Sequence, residues 1–253
     1  MSILRYLSRK NLSILSRGFF HPGFCPACGT PTLFFRPAPY SHHMREYYRC
    51  LWCRSTPRYR SFSHVLDRRF PSWRECHIHE SSPGGPMSHK LKRACANYVS
   101  SDYHPNLPRG AQVADSVNQD LQSQTFSDNI FDLVITMDVL EHLPFPEKAI
   151  QEIRRTLKPG GAHVFTVPCD FTSRTVERAS LAPNGEITHH QPPVYHGNPI
   201  DNKGSLVFRD WGCDLPDFIR KACGMETEVI RLDSFWQGIP PDRNEVFISR
   251  KNE

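Results

Sequence analysis

The sequence predicts an α/β fold: a doubly wound, mostly parallel sheet with an antiparallel last strand, preceded by a small cysteine-rich module. Three observations carry this. Two apolar, β-branched runs at 131–136 and 162–167 bracket an amphipathic helix pattern, which makes one βαβ unit of a parallel sheet. The runs 225–232 and 245–249 read as an antiparallel pair that closes the sheet. Near the N-terminus, two C-x-x-C pairs stand apart from the five other cysteines, which are scattered singly.

A chain of 253 residues can hold one large domain, or a main domain with an appendage. Its 38% hydrophobic and 23% charged residues fit a soluble globular protein rather than a disordered one. No apolar run approaches the roughly 20 residues a helix needs to span a bilayer. Prolines cluster at 37–39, 191–193 and 239–241, so long irregular segments are expected around the sheet. Single cysteines without a clear secretory signal point to a reducing, cytoplasmic setting.

Residues 1–20 are basic, Ser-rich and free of acids, with Ile3, Leu4, Leu7, Ile14 and Leu15 roughly on one helical face. A surface helix is the first expectation; membrane-surface contact and targeting remain open. Residues 1–74 carry thirteen Lys or Arg against two acids, Glu46 and Asp67, a balance of +11. The whole chain is +5, so residues 75–253 are −6. This asymmetry suggests an anionic partner for the N-terminal module, such as RNA, a phosphorylated carrier or a membrane surface.

The module is expected over residues 21–57. Cys25-Pro26-Ala27-Cys28 and Cys50-Leu51-Trp52-Cys53 are separated by 21 residues. Each pair lets two thiolates of one tight turn face one ion, and two such turns complete a tetrahedral Cys₄ site suited to structural zinc. A redox pair or an iron–sulfur site is the rival reading. Gly29 suits a turn of positive φ, and Phe34, Phe35, Tyr47, Tyr48 and Trp52 are the expected small core. A linker helix is expected at 58–74, with Phe62, Val65, Leu66 and Phe70 on one face. The arginines of the stretch 54–73 form a solvated face or reach a phosphate-bearing substrate.

The stretch Phe131-Asp132-Leu133-Val134, then Asp138-Val139-Leu140-Glu141-His142-Leu143, then Leu157-Lys158-Pro159-Gly160-Gly161 resembles the class I S-adenosylmethionine-dependent methyltransferases. The resemblance covers roughly residues 75–250. It implies a Rossmann-like domain over 75–253 with a His-rich lid inserted at about 170–215, and S-adenosyl-L-methionine as cofactor. Read residue by residue, it places Glu80, Ser82 and Gly84 in the Gly-rich turn after the first strand. There the chain departs from the family, with Ser82 and Pro86 at two glycine positions. Asp102 falls about 20 residues on, where an acid meets the ribose hydroxyls. Asp120 takes the position that meets the adenine amino group, beside Leu121. Met137 and Asp138 begin the loop that lines the cofactor and faces the acceptor. Lys158 to Gly161 is read as the helix stop, with glycine as its left-handed cap.

Methyl transfer from a sulfonium needs an aligned acceptor and a place for its proton. Two clusters qualify. Asp138, Glu141 and His142 on one turn could bind a divalent cation, as a related Glu-x-x-Glu-His does in some relatives. In the lid, Thr188 to Pro199 carries His189, His190 and His196; His190 and His196 are preferred to His189 as bases. The candidate catalytic residues are thus His142, His190 and His196. The first functional reading is methyl transfer to a small-molecule or sugar hydroxyl, with glycan acceptors included. The alternatives are an RNA methyltransferase that grips phosphates with the basic module, and a non-catalytic binding protein that has lost the cofactor.

Overall fold

A computed structural model describes residues 19–36, 44–197, 204–241 and 243–252. The expected N-terminal segment lies outside the described residues as far as position 18, as do Asn198 and Pro199 of the expected lid.

The module is a three-stranded antiparallel sheet of β1 (Phe19–Cys25), β2 (Thr30–Arg36) and β3 (Arg49–Cys50). The first cysteine pair occupies the turn between β1 and β2, where Gly29 takes φ +70° and its N–H closes on the Cys25 carbonyl at 2.8 Å. Phe34, Phe35 and Tyr48 are buried, as expected. Trp52 is not part of that core: it is half exposed, and its indole N–H donates to the Pro31 carbonyl.

Helix α1 (Pro57–Arg69) does more than link. Phe62, Val65 and Leu66 are fully buried against the main sheet, beside Ile78, Leu133, Ile135, Val164 and Ile248. Proline at its first turn fits a position where no N–H is needed. Arg60 on its inner face is completely buried. It donates to the carbonyls of Tyr48 (3.0 Å), Gly238 (2.6 and 3.1 Å) and Ser55, and its guanidinium lies 4.5 Å from the Phe34 ring centroid. Burial pulls its pKa down to about 10, so it stays charged at neutral pH. One side chain therefore joins the cysteine module, α1 and the loop before the last strand.

The main sheet begins with β4 (Ile78–Ser81), β5 (Tyr98–Asp102), β6 (Gln112–Val113), β7 (Ser116–Asn118), β8 (Phe131–Met137) and β9 (Leu157–Thr166). Helix α2 (Gly85–Ala94) follows β4 and covers the α1 face; α3 (Pro146–Thr156) follows β8 and covers the other, with Ala149, Ile150 and Ile153 fully buried. Short strands then build the insertion: β10 (Cys169–Asp170), β11 (Val176–Glu177), β12 (Ala179–Leu181), β13 (Ile187–His189), β14 (Tyr195–His196), β15 (Ser205–Leu206) and β16 (Arg209–Gly212). Helix α4 (Leu215–Cys223) packs beside α3, and β17 (Glu226–Ile230) and β18 (Val246–Arg250) complete the chain.

The strand order is β17-β18-β9-β8-β4-β5-β7-β6, with β18 antiparallel to both neighbours. The chain runs outward from β4 through β5 to β7, then returns to the other side of β4 as β8. Between β4 and β8 the order reverses, so a crevice opens at the carboxyl ends of these strands. One expectation is corrected here. Gly160 takes φ +74° but does not cap α3, which ends at Thr156; its N–H donates to the Lys251 carbonyl, within the span of β9.

Replacing Arg60 with methionine would leave the Tyr48 and Gly238 carbonyls without their guanidinium donor, while the Ser55 carbonyl would keep only the Cys50 N–H. We expect Arg60→Met to lower stability by about 3 kcal/mol or more in urea unfolding of the metal-loaded chain.

Candidate active site

A cavity of about 1550 Å³ occupies the crevice. Its walls include Ser81 to Gly84 after β4, Asp102 at the end of β5, Gln119 to Ser123 after β7, and Met137 to Val139 after β8. His142, the insertion residues His196 and Phe208, and Arg45, Arg58 and Tyr59 from the N-terminal part close it. Ser82, Gly84, Asp102, Asp120, Leu121, Met137 and Asp138 all line one cavity.

The modified glycine turn keeps the backbone shape that glycine would allow. Ser82 takes φ +56°, and its N–H donates to the Ser101 carbonyl at 2.7 Å. A serine held there is strained by about 1 kcal/mol or more. Gly85 is also left-handed, and a Cβ there would lie 2.7 Å from the Tyr59 hydroxyl, so α1 leans on this turn.

Glu80 does not line the cavity. It is buried beneath the turn, where the Ser88 hydroxyl (2.7 Å) and the Tyr98 hydroxyl (2.5 Å) donate to its carboxyl. Ser88 in turn accepts the Gly84 N–H at 2.6 Å. Glu80 thus holds the turn rather than a ligand. Burial pushes its pKa up to about 7, against the opposing effect of the two hydroxyls.

Asp120 accepts the backbone and side-chain N–H groups of Gln122 at 2.9 and 3.1 Å, and Gln122 accepts the Phe145 N–H at 2.9 Å. This ties the turn after β7 to the loop that opens α3.

Asp138 takes φ +55° at the end of β8. Its carboxylate accepts the Thr166 hydroxyl (2.8 Å), two bonds from Arg45 (2.8 and 3.0 Å) and one from Arg58. The expected cation set of Asp138, Glu141 and His142 is therefore corrected, because Asp138 is already matched by two guanidiniums.

A different set forms instead. His196 on β14 comes to Glu141 and His142, with ligand atoms of the three residues within 4.8 Å of one another. His142 Nε2 and His196 Nδ1 each lie 3.8 Å from Glu141 Oε1. Glu141 is 1% exposed, and among the described residues neither carboxyl oxygen has a hydrogen-bond partner. Burial pushes its pKa up to about 7. The Leu206 carbonyl sits 2.8 Å from His142 Nδ1 and can only accept, so Nδ1 carries the proton and Nε2 keeps a lone pair. Burial lowers the pKa of both histidines, which favours the neutral ring that a metal ligand or base needs. An orphaned buried carboxylate between two neutral imidazoles fits a divalent cation.

His190 is not brought to this cluster; it is exposed and pairs with the Ser180 hydroxyl at 3.0 Å, as His189 on β13 is likewise exposed. Arg45, Arg58, Tyr59 and Arg243 are site residues that motif reading does not single out. Only the arginine content of 54–73 signalled one of them.

The four module cysteines also cluster, with sulfurs 3.7 Å apart for Cys25 and Cys53 and 4.0 Å for Cys28 and Cys50. A tetrahedron with Zn–S bonds of about 2.3 Å has edges near 3.8 Å, so the spacing fits zinc.

The sheet order, its switch point and the acids around the crevice define the class I, Rossmann-like methyltransferase fold. Residues 81–165 match the model of a family described as a methyltransferase domain. This part of the chain therefore carries a methyltransferase domain. Over 123 residues the chain is 32% identical to the ubiquinone biosynthesis O-methyltransferase of Xanthomonas oryzae pv. oryzae (strain PXO99A), covering 42% of this chain and 51% of that protein. Over 117 residues it is 30% identical to the hybrid PKS-NRPS synthetase xenE of Xenoacremonium sinensis, covering 40% of this chain and 3% of that protein. The chain thus spans about half the length of its ubiquinone biosynthesis relative. Among solved structures, an S-adenosylmethionine-dependent methyltransferase from Mesorhizobium loti aligns with a TM-score of 0.49 at 14% identity, over 75% of this chain and 97% of that one.

Because Glu80 binds its proton more tightly folded than unfolded, its contribution is complete below its unfolded pKa near 4.5 and is lost as pH rises through about 7. Glu80→Gln should remove that loss. The stability difference between variant and parent, read by urea unfolding at pH 5 and pH 8, should shift in favour of the variant by about 2 kcal/mol at the higher pH.

Proposed function

We propose that this chain transfers a methyl group from S-adenosylmethionine to a hydroxyl of a small molecule. The observation that carries this reading is the cavity itself, whose lining brings two kinds of equipment together. It holds the Ser82–Gly84 turn, Asp102 and Asp120, and it also holds His142 and His196, with the buried Glu141 clustered behind them. A drug-sized ligand occupies roughly 300–1,000 Å³, so about 1550 Å³ has room for a cofactor and a small acceptor together.

In this reading Asp102 accepts bonds from the ribose hydroxyls, Asp120 meets the adenine amino group, and the Ser82–Gly84 backbone lets the methionine part approach closely. His142 Nε2, with its lone pair fixed by the Leu206 carbonyl, takes the acceptor proton as the oxygen attacks the methyl carbon in line with the departing sulfur. His196 stands beside it, its ring 5.0 Å away and edge-on. Glu141, His142 and His196 would equally hold a divalent cation, which when bound would lower the pKa of the acceptor hydroxyl. The four module cysteines hold a structural zinc, with no coordination position left for chemistry.

One observation weighs against RNA as acceptor. Among the described residues, five arginines of the N-terminal part are engaged internally: Arg45 and Arg58 on Asp138, Arg60 on three carbonyls, Arg69 on Glu228, and Arg74 against the Trp73 ring. Guanidiniums bound this way present few free donors to a phosphate backbone. Among the described residues, no helix is long and apolar enough to cross a membrane.

Calorimetry with S-adenosylmethionine and S-adenosylhomocysteine tests the cofactor site. We expect micromolar binding that Asp102→Ala weakens about 30-fold, since charge-assisted hydrogen bonds contribute about 1.5–3 kcal/mol; absence of binding to folded protein would sink the reading. Manganese titration tests the histidine cluster. Glu141→Gln should abolish a manganese site that Asp138→Asn leaves in place, and the reverse pattern would return the cation to Asp138.

A further inference from the structure

We propose that the acceptor carries an oxyanion, a phosphate or carboxylate, which Arg58 and Arg243 grip beside Asp138. This rests on the methyl-transfer reading and adds the chemical class of its substrate.

The cavity wall is unevenly charged. Asp102 and Asp120 stand at the carboxyl ends of β5 and β7, on the cofactor side. Around Asp138, among the described residues of the lining, Arg45, Arg58 and Arg243 stand against Glu46 and Asp138. One positive charge is left over, and the sulfonium of the cofactor adds another. A neutral acceptor would leave this excess unmatched inside a crevice where water screens it poorly.

The donors are also poised. Arg45 is fully used: Nη1 meets Glu46 at 2.7 Å, Nη2 meets Asp138, and Nε donates to the Arg243 carbonyl at 2.9 Å. It acts as a strut that fixes the loop carrying Arg243. Arg58 spends Nη1 on Asp138, while its Nε is buried and has no acceptor among the described residues. An unsatisfied buried donor costs about 1–3 kcal/mol, so an incoming acceptor atom is favoured there. Among the described residues the guanidinium of Arg243 makes no hydrogen bond or ion pair; it is exposed and lines the same cavity. Asp138 holds Arg58 in place, the Arg45 strut holds the Arg243 loop, and a guanidinium pairs with an oxyanion through two parallel bonds. The three arginines come from the helical turn Met44–Tyr47, the first turn of α1 and the loop before β18. The N-terminal module therefore supplies part of the acceptor site.

The test uses the full chain, zinc-loaded and saturated with S-adenosylhomocysteine, titrated by calorimetry with catechol, 3,4-dihydroxybenzoate and inorganic phosphate. We expect at least one anion to bind at least tenfold more tightly than catechol. The arm that binds identifies carboxylate or phosphate. Arg243→Gln, at an exposed position, should weaken that anion about tenfold and leave S-adenosylhomocysteine affinity unchanged; Arg58→Lys should do the same while keeping the charge on Asp138. Equal affinity for catechol and both anions, or no anion binding at tens of millimolar, would overturn the inference while the cofactor still binds. Failure of S-adenosylhomocysteine to bind would instead overturn the methyl-transfer reading, and with it the assignment of any bound anion as acceptor. Phosphate displaced by a single-stranded RNA oligonucleotide at micromolar concentration would overturn the small-molecule class.

Discussion

The carboxylate of Asp138 is the point on which the candidate site depends. It stands at the end of β8, in a left-handed backbone conformation that aims it away from the strand path, and it is held by Thr166 of the neighbouring strand. Two guanidiniums from the N-terminal part of the chain converge on it. A carboxylate so little exposed must be matched by positive charge, and Arg45 and Arg58 are the groups that match it. That one requirement brings the cysteine module, α1 and the parallel sheet to a common place. Arg60, two residues further along α1, joins the cysteine module and α1 to the loop before β18.

The opposite choice was made for Glu141. It is buried as the core is, yet among the described residues its carboxyl has no hydrogen-bond partner, and two imidazoles face it at 3.8 Å. Asp138 and Glu141 lie three positions apart on the same loop. One is saturated by arginine, and the other waits for a proton or a cation. The inserted ribbon produces this difference, because it carries both His196 and the Leu206 carbonyl that sets the tautomer of His142.

Much of the fold was legible in the chain. The runs 131–136 and 162–167 became adjacent parallel strands, and 225–232 and 245–249 contain the antiparallel pair that closes the sheet. The cysteine pairs meet as their spacing demands. These features rest on local rules: side-chain periodicity, turn chemistry and the short reach of a C-x-x-C loop. Seven of the eight expected cofactor contacts line one cavity, because they sit at strand ends and the carboxyl edge of a parallel sheet collects strand ends. Glu80 is the exception: its alternation along β4 turns it beneath the sheet edge, toward Ser88 and Tyr98.

What the sequence determined by itself was therefore the order of strands and helices, the cysteine cluster and the acids at the strand ends. Each of these follows from interactions between residues near one another in the chain. Tertiary structure alone decided which histidine joins Glu141, that Asp138 is claimed by arginine, and that the N-terminal module helps to wall the cavity. Those contacts join residues 55, 80 and 93 positions apart: Glu141 reaches His196 across 55 positions, and Asp138 reaches Arg58 across 80 and Arg45 across 93. No local rule links side chains so distant. They meet only once packing has set the insertion and α1 against the edge of the sheet.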